Sequence, residues 1–208
     1  MQFNDAAPAN LMPRDTERLI LRPWLDRDRA PFAAMSVDPE VMRHLVPFAS
    51  PEASGAWIDR QQAHLETHGF CFWALECRAT GAFIGAAGVL RVTYNAHFTP
   101  AVEVGWRLDR RSWGRGLAPE AATSAIDFGF AQFGLQEIVA NTVPANSNSR
   151  RVMEKLGMTN DAADDFGHPL VPLENPLRHQ VLYRLPRERW IAMNSLDPST
   201  APEADGTQ

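Results

Sequence analysis

Short apolar runs along the chain predict a series of strands separated by helical segments. Runs rich in β-branched, aromatic and leucine residues predict strands over residues 18–24, 70–77, 82–92, 101–108, 137–142 and 180–185. Helical signals fill the gap between the first two strands, and apolar residues recur at helical spacing after the fourth and fifth strands. This order, without a repeat or a linker, predicts a single α/β (α+β) domain with a mostly antiparallel sheet.

Local signals predict where helices begin and end. Asp38 and Ser50 each precede a proline, which is typical of the residue before the first helical turn. Gly69, Gly134 and Gly157 follow helical segments and are typical helix ends. Residues 16–190 are predicted to form the domain and residues 1–15 a flexible leader. Residues 191–208, which hold three acids and no base, are predicted to form a disordered acidic tail.

Composition narrows the class of protein. The 208 residues are 45% hydrophobic and 22% charged, as in an ordinary globular protein. The net charge of -5 argues against nucleic-acid binding, which requires a basic excess, and no apolar stretch has the length of a membrane span. Cys71 and Cys77 lie in one predicted strand, roughly 20 Å apart, and cannot pair with each other. Free thiols and the lack of a secretory signal pattern predict a cytoplasmic protein.

The stretch RRSWGRGLAPEA, residues 110–121, joins the fourth strand to a helix. Its glycines and arginines are typical of a loop that binds a phosphate. Glycines let a ligand approach the unpaired N–H groups of a helix start, where the helix dipole favours an anion. The spacing of a P-loop is absent, and the dinucleotide pattern GxGxxG fails because Pro119 takes the third glycine's place. The remaining pattern is [Q/R]xxGx[G/A], formed by Arg111, Gly114 and Gly116, which wraps a pyrophosphate in backbone amides. A plain strand-to-helix turn is the alternative.

The neighbouring sequence favours the pyrophosphate interpretation. WGRGLAPEA, PAN followed by a serine three residues on, and KLGM resemble the acetyl-CoA core of the GNAT N-acetyltransferase superfamily. TERLILRPW near the start and HPLVPLENPLRHQVLYRL near the end resemble its branch with the ribosomal-protein N-terminal acetyltransferases. The resemblance covers residues 16–185. It implies a sheet splayed between the fourth and fifth strands, with acetyl-CoA as co-substrate and no metal.

The resemblance also implies roles for individual residues. Gly114, Arg115, Gly116, Leu117 and Ala118 match the pyrophosphate loop, with Arg111 as its leading basic residue. Trp106, Arg107 and Leu108 match the strand edge beside pantetheine, although the Arg107 side chain could equally be solvated. Asn146 matches the asparagine that bonds the pantetheine arm, and Ser149 matches its partner on the next helix.

Acetyl transfer to an amine requires a base, because an aliphatic ammonium is mostly protonated at pH 7. Glu103 alternates with the apolar residues of the fourth strand, and the resemblance places a glutamate of this strand in the acceptor cleft; a solvated carboxylate is the alternative. His168 and His179 are alternative proton relays or structural residues. Met153 occupies the position where many members of the superfamily have a tyrosine that protonates the departing CoA thiolate. In this chain that proton would come from Ser149 or from water.

The acceptor is not identified by the sequence. Trp57 either lines an acceptor pocket or packs in the core. The leading hypothesis is an acetyl-CoA-dependent N-acetyltransferase, a monomer or homodimer, that acts on a protein N-terminus or a small-molecule amine. A non-catalytic acyl-CoA-binding module and a nucleotide- or NAD-dependent enzyme are the alternatives.

Overall fold

The computed structural model of the protein describes residues 12–195, which form one open sheet flanked by helices. The strands are β1 (Leu19–Arg22), β2 (Phe72–Cys77), β3 (Phe83–Arg91), β4 (Val102–Leu108), β5 (Glu137–Thr142), β6 (Thr159–Asn160), β7 (Phe166–Gly167) and β8 (His179–Pro186). The main sheet has the order β1-β2-β3-β4-β5-β8-β6, and β7 pairs with β8. All these pairs are antiparallel except β4 and β5, so the predicted sheet type is confirmed.

The helices begin and end largely where local signals predict. They are α1 (Arg29–Met35), α2 (Pro39–Met42), α3 (Pro51–His68), α4 (Leu117–Phe133), α5 (Ser147–Lys155) and α6 (Arg187–Ser195). The Ser50 hydroxyl accepts a hydrogen bond from the Ala53 N–H at 3.2 Å, and this bond satisfies a donor of the first turn of α3. Gly69 and Gly134 end α3 and α4 in the left-handed conformation that glycine adopts without strain.

Alternation along β4 gives its two faces different neighbours. Val102, Val104 and Leu108 belong to the main hydrophobic core, together with α4 residues such as Ile126. Glu103, Gly105 and Arg107 belong to the opposite face, as alternation requires. There the Phe72 ring lies so close to Gly105 that a Cβ would be 2.7 Å from it. At its Arg107 end this face meets Phe32 of α1 and Trp57 of α3, which belong to or pack on a second core cluster.

The strands β4 and β5 pair in parallel only at Glu103 and Val139. By contrast, β4 pairs with β3 over seven positions, and β5 pairs with β8 over six. Beyond Glu103 the two central strands therefore separate, as the family resemblance implies. The separation opens the sheet next to the N-terminus of α4.

Packed structure extends past both predicted domain boundaries. At the start, Ser124 donates a hydrogen bond to the Arg14 carbonyl, and Met12 packs on the core. At the end, α6 continues to Ser195, and its buried Trp190 donates to the Asp127 carboxylate at 2.7 Å. The predicted leader and tail otherwise lie outside the described residues. Within residues 12–195, no helix is long and apolar enough to cross a membrane.

Candidate active site

A cavity of about 460 Å³ lies between the end of β4, the start of α4, and α5. Nine of the predicted cofactor residues line it: Trp106, Arg107, Leu108, Gly114, Gly116, Leu117, Ala118, Asn146 and Ser149. The structure therefore brings together residues from two segments of the chain that are about thirty positions apart. Residues 40–45, around α2, cover another wall.

The loop before α4 presents bare backbone to this cavity. Gly114 and Gly116 have φ angles of 71° and 76°, a conformation that strains any residue with a Cβ. A Cβ on Gly114 would have no atom within 4 Å, so the space beside it is open. Gly116 is the N-cap of α4 and contributes no side-chain cap to the first-turn N–H groups. An anion is the natural partner for these donors and for the positive end of the helix dipole.

Two predicted arginines lie outside the cavity lining. The Arg111 side chain is 90% exposed and forms an ion pair with Asp109 at 2.9 Å. Arg115 is also exposed, and its carbonyl accepts a hydrogen bond from Arg18. The cations that do line the cavity wall include Arg151 and Lys155 of α5. They follow Asn148 at helical spacing, so the sequence pattern alone indicates that the three residues share one face of α5.

Asn146 and Ser149 form one hydrogen-bonded unit at the start of α5. The Asn146 side chain accepts from the Ser149 N–H at 3.3 Å, which caps the helix. Its amide nitrogen donates to the Ser149 hydroxyl at 3.1 Å and to the Thr142 hydroxyl at 2.9 Å. The Asn146 amide is therefore fixed in place where it faces the cavity.

Glu103 lies at the point where β4 and β5 separate, and it is partly accessible rather than fully solvated. Burial raises the pKa of its carboxyl to about 7, and a hydrogen bond from the Asn141 amide at 3.2 Å partly opposes the shift. The same amide lies 3.4 Å from the Tyr94 hydroxyl. Burial, and then the charge of Glu103, raise the pKa of Tyr94, which keeps its hydroxyl protonated. A carboxyl with a pKa near 7 is suited to general-base catalysis.

The two predicted histidines have different surroundings. The His168 ring lies 4.3 Å from the Tyr94 ring, and burial, followed by the charge of Arg178, lowers its pKa. Its Nδ1 accepts a hydrogen bond from the Leu170 N–H, so this nitrogen has a structural partner. His179 is exposed at the start of β8, where its backbone pairs with Gly167. Of these two histidines, His168 is therefore the one that lies in the same aromatic cluster as Tyr94.

The family is shown by sequence comparison. The model of the acetyltransferase (GNAT) domain matches residues 18–159. The chain belongs to the GNAT acetyltransferase family. The match contains β1 to β5, α4, α5 and all the cavity-lining residues.

Similar proteins support this assignment. FsC-acetyl coenzyme A-N(2)-transacetylase from Aspergillus fumigatus is 29% identical over 185 residues, which cover 86% of this chain and 77% of that protein. The crystal structure of an acetyltransferase from Agrobacterium tumefaciens is 27% identical, with a TM-score of 0.67 and coverage of 88% and 98%. RimJ from Mycobacterium smegmatis, solved in complex with CoA-disulfide, shares the fold at 19% identity, with a TM-score of 0.66 and coverage of 85% and 89%.

Arg107, one of the residues that line the cavity of this GNAT protein, has its guanidinium in a cage of aromatic rings. The guanidinium carbon of Arg107 lies 5.2 to 5.7 Å from the ring centroids of Phe32, Phe48 and Trp57. Removal from water lowers its pKa to about 10, so it stays charged at neutral pH. Trp57 stacks on Phe32 and contacts Phe72, which makes it both a core residue and a wall of this cage. The cage could not be predicted from the sequence, because its rings come from α1, α3 and the loop between α2 and α3.

Met153, at the position where many GNAT proteins have a tyrosine, is buried in the core and does not line the cavity. Of the chain's two tyrosines, Tyr183 hydrogen-bonds with Arg150 and Glu154, whereas Tyr94 belongs to the Glu103 cluster. The Asn146 amide donates to the Thr142 hydroxyl at 2.9 Å and to the Ser149 hydroxyl at 3.1 Å, and Ser149 lines the cavity. Among residues 12–195, no group of three or more His, Cys, Asp or Glu side chains could hold a metal ion.

Proposed function

We propose that this GNAT protein moves the acetyl group of acetyl-CoA directly to a primary amine, with Glu103 as the general base. The acceptor is a small-molecule amine or a protein N-terminus, and the free thiols of Cys71 and Cys77 favour a reducing compartment such as the cytoplasm. The observation that carries the proposal is the Glu103 carboxyl. It lies on the strand that borders the cavity, at the sheet opening, with a pKa near 7.

Independently of Glu103, the cavity has features that fit acetyl-CoA. The positive-φ glycines and the uncapped start of α4 suit the pyrophosphate, and the open strand edge at residues 106–108 suits the amide-containing pantetheine arm. Asn146 would bond that arm, and Arg151 and Lys155 supply positive charge. Bound acetyl-CoA would supply a thioester, a carbonyl already activated for attack by an amine.

The chain's own residues then handle the protons. Glu103, when ionised, takes a proton from the ammonium of the acceptor, directly or through water, and the amine becomes nucleophilic. Asn141 holds the carboxylate in position through its 3.2 Å hydrogen bond. As the C–S bond breaks, the departing thiolate takes a proton from water or from the Ser149 hydroxyl. A thiol of pKa about 8.5 leaves without a strong acid, which is consistent with the buried Met153.

Two measurements test this function. In a melting assay, acetyl-CoA at a hundred times its dissociation constant should stabilise the protein by about 2.7 kcal/mol, and NAD and ATP should do much less. In a panel of amines and peptides, thiol release from acetyl-CoA should exceed the rate without acceptor. Stabilisation by CoA without turnover of any acceptor would favour a non-catalytic acyl-CoA-binding module. Stronger stabilisation by NAD or ATP would overturn the assignment.

A further inference from the structure

Arg107 is one of the residues that line the cavity, and residues 12–195 offer its guanidinium no hydrogen-bond partner. Its Nη1 is fully buried, and no acceptor among residues 12–195 lies within hydrogen-bonding distance of it. No carboxylate in that part of the chain forms an ion pair with it. Three aromatic rings surround the charge, but a ring face does not replace a hydrogen-bond acceptor for the guanidinium edge.

Two other partly buried arginines of this fold are paired with carboxylates. Arg22, whose side chain is 14% exposed, forms ion pairs with Asp28 at 2.6 Å and Glu76 at 2.7 Å. Arg184 is paired with Asp164 and Glu137. An arginine that served only to pack the sheet against α1 and α3 would carry an unmet buried donor for no gain. Arg107 instead has the arrangement of a residue whose partner is a ligand.

The chemistry of the cage favours a carboxylate. A guanidinium offers two parallel N–H donors that match the two oxygens of a carboxylate. A phosphate of higher charge would need further cations. The cavity lining also includes His44, whose pKa is lowered mainly by burial, and Arg43, which already pairs with Glu40. Within the cavity, the glycine loop before α4 is the part that suits a phosphate.

The position of Arg107 on β4 assigns the carboxylate to the acceptor. Glu103, Gly105 and Arg107 share one face of the strand, and the Phe72 ring packs directly on Gly105 between them, where a Cβ would lie 2.7 Å from it. The Cα atoms of Glu103 and Arg107 are roughly 13 Å apart along the strand. The base and the unpaired cation therefore lie on one face of β4, with Arg107 against the rings of α1 and α3 and Glu103 beside Asn141.

We propose that Arg107 binds a carboxylate of the amine acceptor, so that the substrate is an amine that also carries an acidic group. This inference rests on the proposed acetyl transfer to an amine. Desolvation strengthens the ion pair, and the rings of Phe32, Phe48 and Trp57 hold the guanidinium plane while its edge meets the ligand. A neutral amine would leave the buried donor unmet, so it should be a poor substrate.

The test compares acceptors that differ only in the charge of one group. The pairs are 4-aminobutyrate with 4-aminobutanamide, 6-aminohexanoate with 6-aminohexanamide, and tripeptides with glutamate or glutamine as second residue. Thiol release from acetyl-CoA gives kcat/KM for each. In at least one pair the wild type should prefer the acid by about 10-fold or more, the effect of one charge-assisted hydrogen bond. This comparison needs no variant and so does not depend on a variant's folding.

Variants then assign the preference to Arg107. Within Arg107→Met the ratio of kcat/KM for acid and amide should fall to about one, whatever its overall rate, and Arg107→Lys should keep part of the preference. Arg60→Met, which removes an exposed arginine of α3, is the matched control and should behave as wild type. Equal rates for acid and amide in every pair, or an acid preference that survives in Arg107→Met, would overturn the proposal.

A binding measurement separates this inference from the proposed function. N-acetyl-6-aminohexanoate should bind the wild type in the presence of CoA, and Arg107→Met should weaken its binding about 10-fold or more by calorimetry. If no amine is acetylated but this ligand binds through Arg107, the catalytic proposal fails and the carboxylate site stands. If the ligand does not bind, the carboxylate site fails. If Arg107 instead governs a preference for succinyl-CoA over acetyl-CoA, the carboxylate belongs to the donor, and the acceptor assignment is wrong.

Discussion

Replacing Glu103 with glutamine should make the protein more stable and less active at alkaline pH. Glutamine has nearly the same shape, and its side-chain oxygen can still accept the Asn141 hydrogen bond that Glu103 accepts at 3.2 Å. It cannot ionise, however, and so it avoids the cost of a buried negative charge. The substitution therefore separates the cost of that charge from the packing of the side chain.

The size of the stability effect follows from the raised pKa. Burial raises the pKa of Glu103 from 4.5 to about 7, so the folded protein holds this proton more tightly than the unfolded chain does. The contribution of the group to stability is complete below pH 4.5 and is lost as the pH rises through 7. A difference of about 2.5 pKa units corresponds to roughly 3 kcal/mol. Glu103→Gln should recover up to this amount above pH 8 and nearly none of it at pH 4.5.

Urea unfolding at pH 5 and pH 8.5 measures the effect as the difference between variant and wild type at each pH. Glu66→Gln, at an exposed position on α3, controls for the loss of one negative charge. In parallel, kcat should fall about 100-fold or more, the usual loss for a general base, and the ascending limb of kcat/KM near pH 7 should disappear. If the variant and the wild type differ in unfolding free energy by the same amount at both pH values, the raised pKa of Glu103 is refuted. A wild-type rate in the variant would refute the role as base.

Three further substitutions test the site. Gly116→Ala and Gly134→Ala should each destabilise the fold by about 1–2 kcal/mol, because both positions have positive φ. Only Gly116→Ala should also raise the KM for acetyl-CoA, by roughly 10-fold. Equal KM values for the two variants would contradict the role of Gly116 in phosphate binding. Asn141→Leu should move the ascending limb of kcat/KM up by roughly 1–2 pH units, since a hydrogen bond to the charged form is lost; a limb that stays in place would exclude Asn141 as a positioning residue. His168→Phe should leave the limb near pH 7, whereas its loss would transfer the role of base to His168.

Local sequence signals predicted those parts of the fold that depend on near neighbours. The start of α3 depends on a serine and a proline next to each other, and its end on one glycine, so the sequence alone was sufficient. The helix α6 was missed because its nine residues have no marked apolar face, and its anchor is a bond from Trp190 to Asp127, 63 positions away. Such contacts follow from the tertiary fold and leave no local pattern.

The site, too, has parts that depend on near neighbours in the sequence and parts that depend on the tertiary fold. The glycine loop and the Asn146–Ser149 unit lie within short segments whose spacing could be recognised, and both line the cavity. The partner of Glu103 could not be predicted, because Asn141 meets it only through the parallel register of β4 and β5. The polar Asn141, directly after the apolar residues 138–140 of β5, was an available hint. The predictions for Arg111 and Arg115 came from the motif alone, and neither side chain faces the cavity.

The single paired position between β4 and β5 also bears on how this protein behaves during storage. From Val104 onward, β4 has no strand partner on its β5 side, which leaves part of a sheet edge in the middle of the domain. Unpaired strand edges recruit other extended chains and so promote aggregation. A pantetheine arm that hydrogen-bonds to this edge would cover it much as an added strand does. Purified protein should therefore keep its colloidal stability longer with CoA present than after exhaustive dialysis, even where no acetyl transfer takes place.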